Sequence, residues 1–214
     1  MTSTTRFAVL SATPTRAGRR PTVPRLWTAL LYDLRLGELL AAGIDGRGVQ
    51  IGVLHDREFT AEVQAAVKVL ETIAPKAYVD VREVGHDAHS IRTAVGARRD
   101  LWLVPWGRGD NAAYAAAFLP VRDRLVTVKD PAGEVWAPAV VPGATPVGIG
   151  SVWPMGPYVL GDKPWRVASG PAVGAAVVAG LAALLVQRGE APIRAVRRVA
   201  SAREADIQSL LPPS

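Results

Sequence analysis

The run Ala172 to Val186, AVGAAVVAGLAALLV, constrains this chain more than any other segment. It holds fifteen residues of Ala, Val, Leu and Gly, with no charge and no polar side chain. A helix that crosses a bilayer needs roughly 20 such residues. A helix that is apolar all round yet too short to span is stable only where other elements cover every face. The segment is therefore expected to be a helix buried in the middle of a domain, and the rest of the chain must supply the layers around it.

The flanking sequence alternates. Val49 to Leu54, VQIGVL, is a short apolar run of the buried-strand type. Thr60 to Ile73 has helical spacing, with Val63, Ala66, Val67 and Leu70 on one side, and Pro75 stops it. Ala77 to Val84, AYVDVREV, alternates like a strand. A helix over Ser90 to Arg99, a strand over Leu101 to Pro105, a helix over Asn111 to Leu119 and a strand over Leu125 to Val128 follow. Val147 to Val152 reads as a further strand, and Pro192 to Leu210 as a last helix with arginines on its outer face. Upstream, residues 12–25 read as a Pro-, Thr- and Arg-rich arm, and Trp27 to Ala42 carries leucines at helical spacing. This alternation predicts an α/β fold of three layers, a mainly parallel sheet with helices on both faces. The expected division is an N-terminal arm and helix over residues 1–43 and one domain over 44–214.

Composition removes several function classes. The chain has 214 residues and no cysteine, which excludes disulfides, zinc–thiolate sites and thiol nucleophiles. Its formal charge is +6, and only Lys68, Lys76, Lys129 and Lys163 are lysines, so arginine carries the excess. Arginine suits forked contacts to carboxylate or phosphate. No nucleic-acid motif accompanies it, and a nucleic-acid partner is the last-ranked reading. The apolar run Phe7 to Leu10 is too short for a signal segment. No membrane partner and a cytoplasmic location are expected.

Three segments, in this order, resemble the subtilisin-like serine peptidases. Gly46 to Asp56, GRGVQIGVLHD, is similar to the strand that ends at the family's catalytic aspartate. Ile73 to Gly107 contains IAPKAYVDV and LWLVPWG, similar to the family's Ala-Pro-Lys-Ala strand and its substrate-flanking strand. Ser169 to Leu185, SGPAVGAAVVAGLAALL, resembles the nucleophile helix, with Gly170, Val178, Ala179 and Gly180 at matching spacing. Ala191 to Ala205 is similar to the helix that closes the domain. The resemblance implies a subtilisin-like fold over roughly residues 44–207.

The same resemblance places other residues at the catalytic stations. The chemistry it implies needs a hydroxyl, an imidazole that takes its proton, and a carboxylate that orients the imidazole. The nucleophile falls on Ala172, the aspartate on His55 and the histidine near Phe59, while the oxyanion donor falls near Asp130. No serine occurs between Gly170 and Gly180 in any register. Asp56 is one step further along the strand and is expected on the opposite face. His86, in GHDAH, superficially resembles the family's histidine box. It follows the Ala-Pro-Lys-Ala segment instead of preceding it, and is expected to be a surface turn residue.

A chain without the triad can keep a peptide groove. The resemblance implies one along Val104, Pro105, Trp106 and Gly107, where a peptide adds as a strand. Trp106 either lines or plugs it, and Trp136, Trp153 and Trp165 lie in loops on the expected groove side. Arg194, Arg197 and Arg198 share a helix face and form a candidate docking patch. His86, Asp87 and His89 have ligand chemistry but no third partner in the sequence, so neither a metal nor a cofactor is expected. The expected function is a catalytically inactive subtilisin-like protein that binds a peptide or protein, or pairs with an active enzyme. Homo- or hetero-oligomers fit that role. The alternative is a divergent hydrolase or peptide-modifying enzyme that uses His55, Asp56 or His86.

Overall fold

The computed structural model describes residues 36–85, 87–107, 112–129, 138, 141–147, 158–160, 166–168 and 170–201. In chain order the elements are α1 (Leu36–Ala41), β1 (Gln50–His55), α2 (Thr60–Ile73), β2 (Tyr78–Glu83), α3 (Ala88–Val95), β3 (Leu101–Val104) and α4 (Ala112–Ala117). They continue with β4 (Leu125–Val128), β5 (Thr145–Val147), β6 (Tyr158–Leu160), β7 (Arg166–Ala168), α5 (Pro171–Gln187) and α6 (Pro192–Ser201). Short 3-10 turns cover Arg57–Phe59 and Leu119–Arg124.

Five strands pair in the order β2-β1-β3-β4-β5, and every pairing among them is parallel. β1 and β3 are interior strands covered on both faces, which is why IGVL and LWLV are unbroken apolar runs. β2 alternates because it is an edge, with Tyr78 and Val81 exposed. The crossovers fix the layers. From β1 to β2 the chain moves one way along the sheet, and from β2 to β3 to β4 it moves the other way. Right-handed crossovers then put α2 on one face and α3 and α4 on the other. α5 packs along α2 and so shares its face. The α/β three-layer architecture expected from the sequence is the one observed.

α5 is the central helix. Every residue from Pro171 to Leu185 is buried. Gly170 at its N-cap has φ +108°, a backbone that glycine tolerates, and Pro171 opens the helix where a missing N–H costs nothing. Gly180 lets α5 approach α2: a Cβ there would lie 2.9 Å from the Cβ of Ile73.

Several boundaries differ from expectation. α3 begins at Ala88, two residues early, because the Asp87 carboxylate accepts from the Ser90 N–H at 2.8 Å and caps it, and it ends at Gly96. β5 begins at Thr145, and the rest of the expected Val147 to Val152 strand lies outside the described residues. So do Trp27 to Arg35 of the expected first helix and Ala202 to Leu210 of the last. The antiparallel β6–β7 pair was not expected at all, since three-residue strands among Pro and Gly carry no periodicity.

The turn before β1 is tied to the far end of α5. The Gln187 side chain accepts from the N–H groups of Asp45 (2.8 Å) and Gly46 (2.6 Å) and donates to the Gly43 carbonyl (2.8 Å). Asp45 also holds Arg47 in a fork, with contacts of 3.0 and 2.7 Å. Those hydrogen bonds pull the Asp45 carboxyl down to about 2, against an ordinary 3.8. A folded-state value below the unfolded one means that this contribution is complete above the unfolded value and is lost as pH falls. The expected result is a part of the acid destabilisation between about pH 4 and about pH 2 that disappears in Asp45→Asn, read by urea melts at stepped pH.

Candidate functional site

The carboxyl ends of parallel strands are where α/β folds place their sites. At that end of β1 stand His55, Asp56 and Phe59, and beyond β3 run Pro105, Trp106 and Gly107. Gln187 anchors the C-terminus of α5 beside the turn that enters β1, so the helix runs back toward this end with Ala172 in its first turn.

His55 closes β1 and is half-buried, with Nε2 3.0 Å from the Thr60 hydroxyl. That hydroxyl donates to the Arg57 carbonyl at 2.9 Å, so toward His55 it offers a lone pair. Asp56 lies just past the strand and is fully buried, and its carboxylate accepts from the Glu58 N–H at 3.0 Å to cap the 3-10 turn. The strand stops at His55, so no bulge carries Asp56 onto the same face. Glu62, in the first turn of α2, is half-buried, and that burial pushes its carboxyl up.

The most specific feature is an aromatic stack. Phe59 lies face to face on Trp106, with centroids 5.8 Å apart and planes 11° apart. Tyr114 meets Trp106 at a tilt of 55° with centroids 6.3 Å apart, and Phe118 meets Tyr114 edge-on at 5.8 Å. Trp106 is 1% exposed, and its indole N–H donates to the Leu54 carbonyl at 2.8 Å. The position that resembles the histidine station thus packs directly on the segment that resembles the substrate strand. Val104, Pro105 and Gly107 are buried as well. Since β3 lies between β1 and β4, an added strand has access only to the backbone beyond Val104.

Ala172, the position that the resemblance aligns with the nucleophile, is 2% exposed. Arg194, Arg197 and Arg198 are exposed along α6, with Arg198 reaching Glu190 at 3.3 Å. Asp130, His86, Ser169, Trp136, Trp153 and Trp165 lie outside the described residues. His89 is exposed and Asp87 serves as a helix cap. Among the described residues no group of three or more His, Cys, Asp or Glu is placed to hold a metal ion. Among them, too, no helix is long and apolar enough to cross a membrane. Thr60, Tyr114 and Phe118 escaped the sequence reading. Their one signal was helical spacing, which says nothing of their partners.

No protein-family model matches the sequence. No curated protein matches it either. Solved structures do match. The prenylagaramide maturation protease PagA aligns with a TM-score of 0.60 at 16% identity, covering 76% of this chain and 86% of that one. A lanthipeptide protease aligns with a TM-score of 0.57 at 11% identity, covering 87% and 86%. A cold-adapted subtilisin-like serine proteinase aligns with a TM-score of 0.56 at 16% identity, covering 72% and 81%. Identities this low speak to architecture alone, and on that they agree with the strand order and the central helix: this chain has the subtilisin-like fold.

Proposed function

We propose that this chain is a catalytically inactive subtilisin-like protein that acts by binding a peptide or a protein partner. The observation that carries the reading is the Phe59–Trp106 stack, which puts two apolar rings where the resemblance needs an imidazole. Ala172 adds to it, because a methyl cannot attack a carbonyl. The structural neighbours include a maturation protease and a lanthipeptide protease, and the substrate class taken from them is a peptide. Arg194, Arg197 and Arg198 are exposed and are proposed to take an acidic partner. Pro105–Gly107 are buried, so a peptide there requires the Phe59–Trp106 stack to open.

A fluorophosphonate probe, which labels activated serines, is expected to leave the pure protein unmodified. Ala172→Ser is expected to stay unlabelled too, since Phe59 stands where the resemblance puts the imidazole and the His55 ring is engaged with Thr60. Labelling of the natural chain refutes the inactive reading, whereas inhibitor-sensitive labelling of Ala172→Ser shows that the other two stations do not fall at Phe59 and His55. Calorimetry with extended peptides tests the binding half separately, and the absence of micromolar binding to any peptide or protein removes it.

The rival, a divergent hydrolase or peptide-modifying enzyme using His55, Asp56 or His86, needs those groups in one pocket. Asp56 is buried and caps the 3-10 turn, and His55 contacts Thr60.

A further inference from the structure

β2 is an edge strand, and its free side is defined by which backbone groups β1 uses. Tyr78 N–H donates to the Val49 carbonyl and Val84 N–H to the His55 carbonyl. In a parallel ladder the residues of one parity turn both N–H and C=O to the same neighbour. Tyr78, Asp80, Arg82 and Val84 therefore face β1, and Val79, Val81 and Glu83 present their N–H and C=O groups outward. Val81 is 46% exposed and Tyr78 61% exposed, and among the described residues no strand other than β1 pairs with β2. Six paired residues with no proline make a strand that templates another. The opposite edge, β5, has Pro146 within its three residues.

We propose that this edge pairs antiparallel with the β2 edge of a second copy, about a two-fold axis at Val81. In that register Val81 faces its own mate, Val79 faces Glu83, and Asp80 faces Arg82 in both directions. The outward residues then form the hydrogen-bonded pairs, giving about six main-chain bonds across the axis. The carboxylate and guanidinium groups fall at the closely spaced pairs, where cross-strand charges interact most strongly. In one chain Asp80 already binds Arg82 at 2.7 Å and is also held by Arg99, which lies over the Tyr78 ring at 5.9 Å. Each carboxylate thus gains a second chain's guanidinium on the same face.

The neighbouring registers are excluded by charge. Centring the axis on Asp80 sets two carboxylates face to face, and centring it on Arg82 sets two guanidinium groups together. Centring on Val79 puts Arg82 opposite Lys76. The strand is self-complementary in one register only, which is what a closed two-fold interface requires.

Sedimentation of the full chain tests this. A dimer at tens of micromolar is expected for the wild type. Val81→Lys sets two ammonium groups together at the axis on an exposed position, and is expected to weaken association at least tenfold. Asp80→Arg is expected to be monomeric, and adding Arg82→Asp restores the facing pairs and the dimer. Because the chain has no cysteine, Val81→Cys gives a unique thiol. A short bis-maleimide is expected to link two such chains, and to leave an Arg194→Cys control, on an exposed helix face, unlinked. A monomeric wild type, a dimer indifferent to Val81→Lys, or equal linking at both positions overturns the proposal.

Discussion

Trp106→Ala is expected to lose about 3–5 kcal/mol of folding stability, the range for removing a large buried aromatic side chain. The mechanism has three parts. The substitution empties the centre of the Phe59–Trp106–Tyr114 stack. It leaves the Leu54 carbonyl without its 2.8 Å donor in a buried place. The cavity sits between the Phe59 and Tyr114 rings and the Leu54 carbonyl, at the end of β1. For a domain of this size the loss lowers the melting temperature by roughly 6–20 °C. Trp106→Phe keeps a ring in the stack but loses the hydrogen bond and part of the indole's buried volume, so it is expected to cost about 1–3 kcal/mol. Urea denaturation of the three proteins checks both values. An alanine variant as stable as wild type shows that the stack is not closed around Trp106, and that the proposed groove is open.

Gly52→Ala carries the second large effect. Gly52 lies opposite Trp102 across the β1–β3 pairing, and Trp102 is fully buried. A Cβ on Gly52 would sit 2.4, 2.5 and 2.8 Å from three atoms of the indole ring. The ring cannot rotate away, because strands and helices enclose it on every side, so the strand pairing itself must give. Overpacking of this kind costs typically about 1–3 kcal/mol, and a rigid ring against a central strand places this site at the upper end or above. Trp102→Leu removes the ring and is itself destabilising through the cavity it leaves. The double variant is expected to be more stable than the sum of the two single effects predicts, by at least about 1 kcal/mol. Strict additivity means that the two positions do not touch, and that the β1–β3 register is wrong.

The two substitutions also separate what a local reading sees from what it does not. Gly52 appears in the sequence as one small residue in an apolar run, and period-two reasoning treats it as a weak point in a strand. Only the register with Trp102 shows that the missing Cβ is room for an indole. Trp106 had two readings, a pocket wall or a plug. Its spacing to Phe59, 47 positions upstream (106 minus 59), gave no hint that the rings stack. Gln187 is a similar case: three hydrogen bonds to Gly43, Asp45 and Gly46 span more than 140 positions, and nothing in a terminal glutamine of a helix announces them.

Other features were legible because they are local. The central helix follows from the length and uniformity of Ala172–Val186. The buried strands follow from runs such as LWLV, and the edge strand from the alternation of YVDVRE. That no serine stands at the station the resemblance implies follows from the residues present between Gly170 and Gly180. The sequence by itself therefore determined the layers, the order of the elements and which catalytic side chains the resemblance lacks. Periodicity and residue type are properties of contiguous chain, and these conclusions need nothing more. The tertiary structure alone decided which ring stacks on Trp106, what holds the turn before β1, and which backbone groups of β2 are left facing outward. Each of those depends on partners distant in sequence, which packing and ladder register choose.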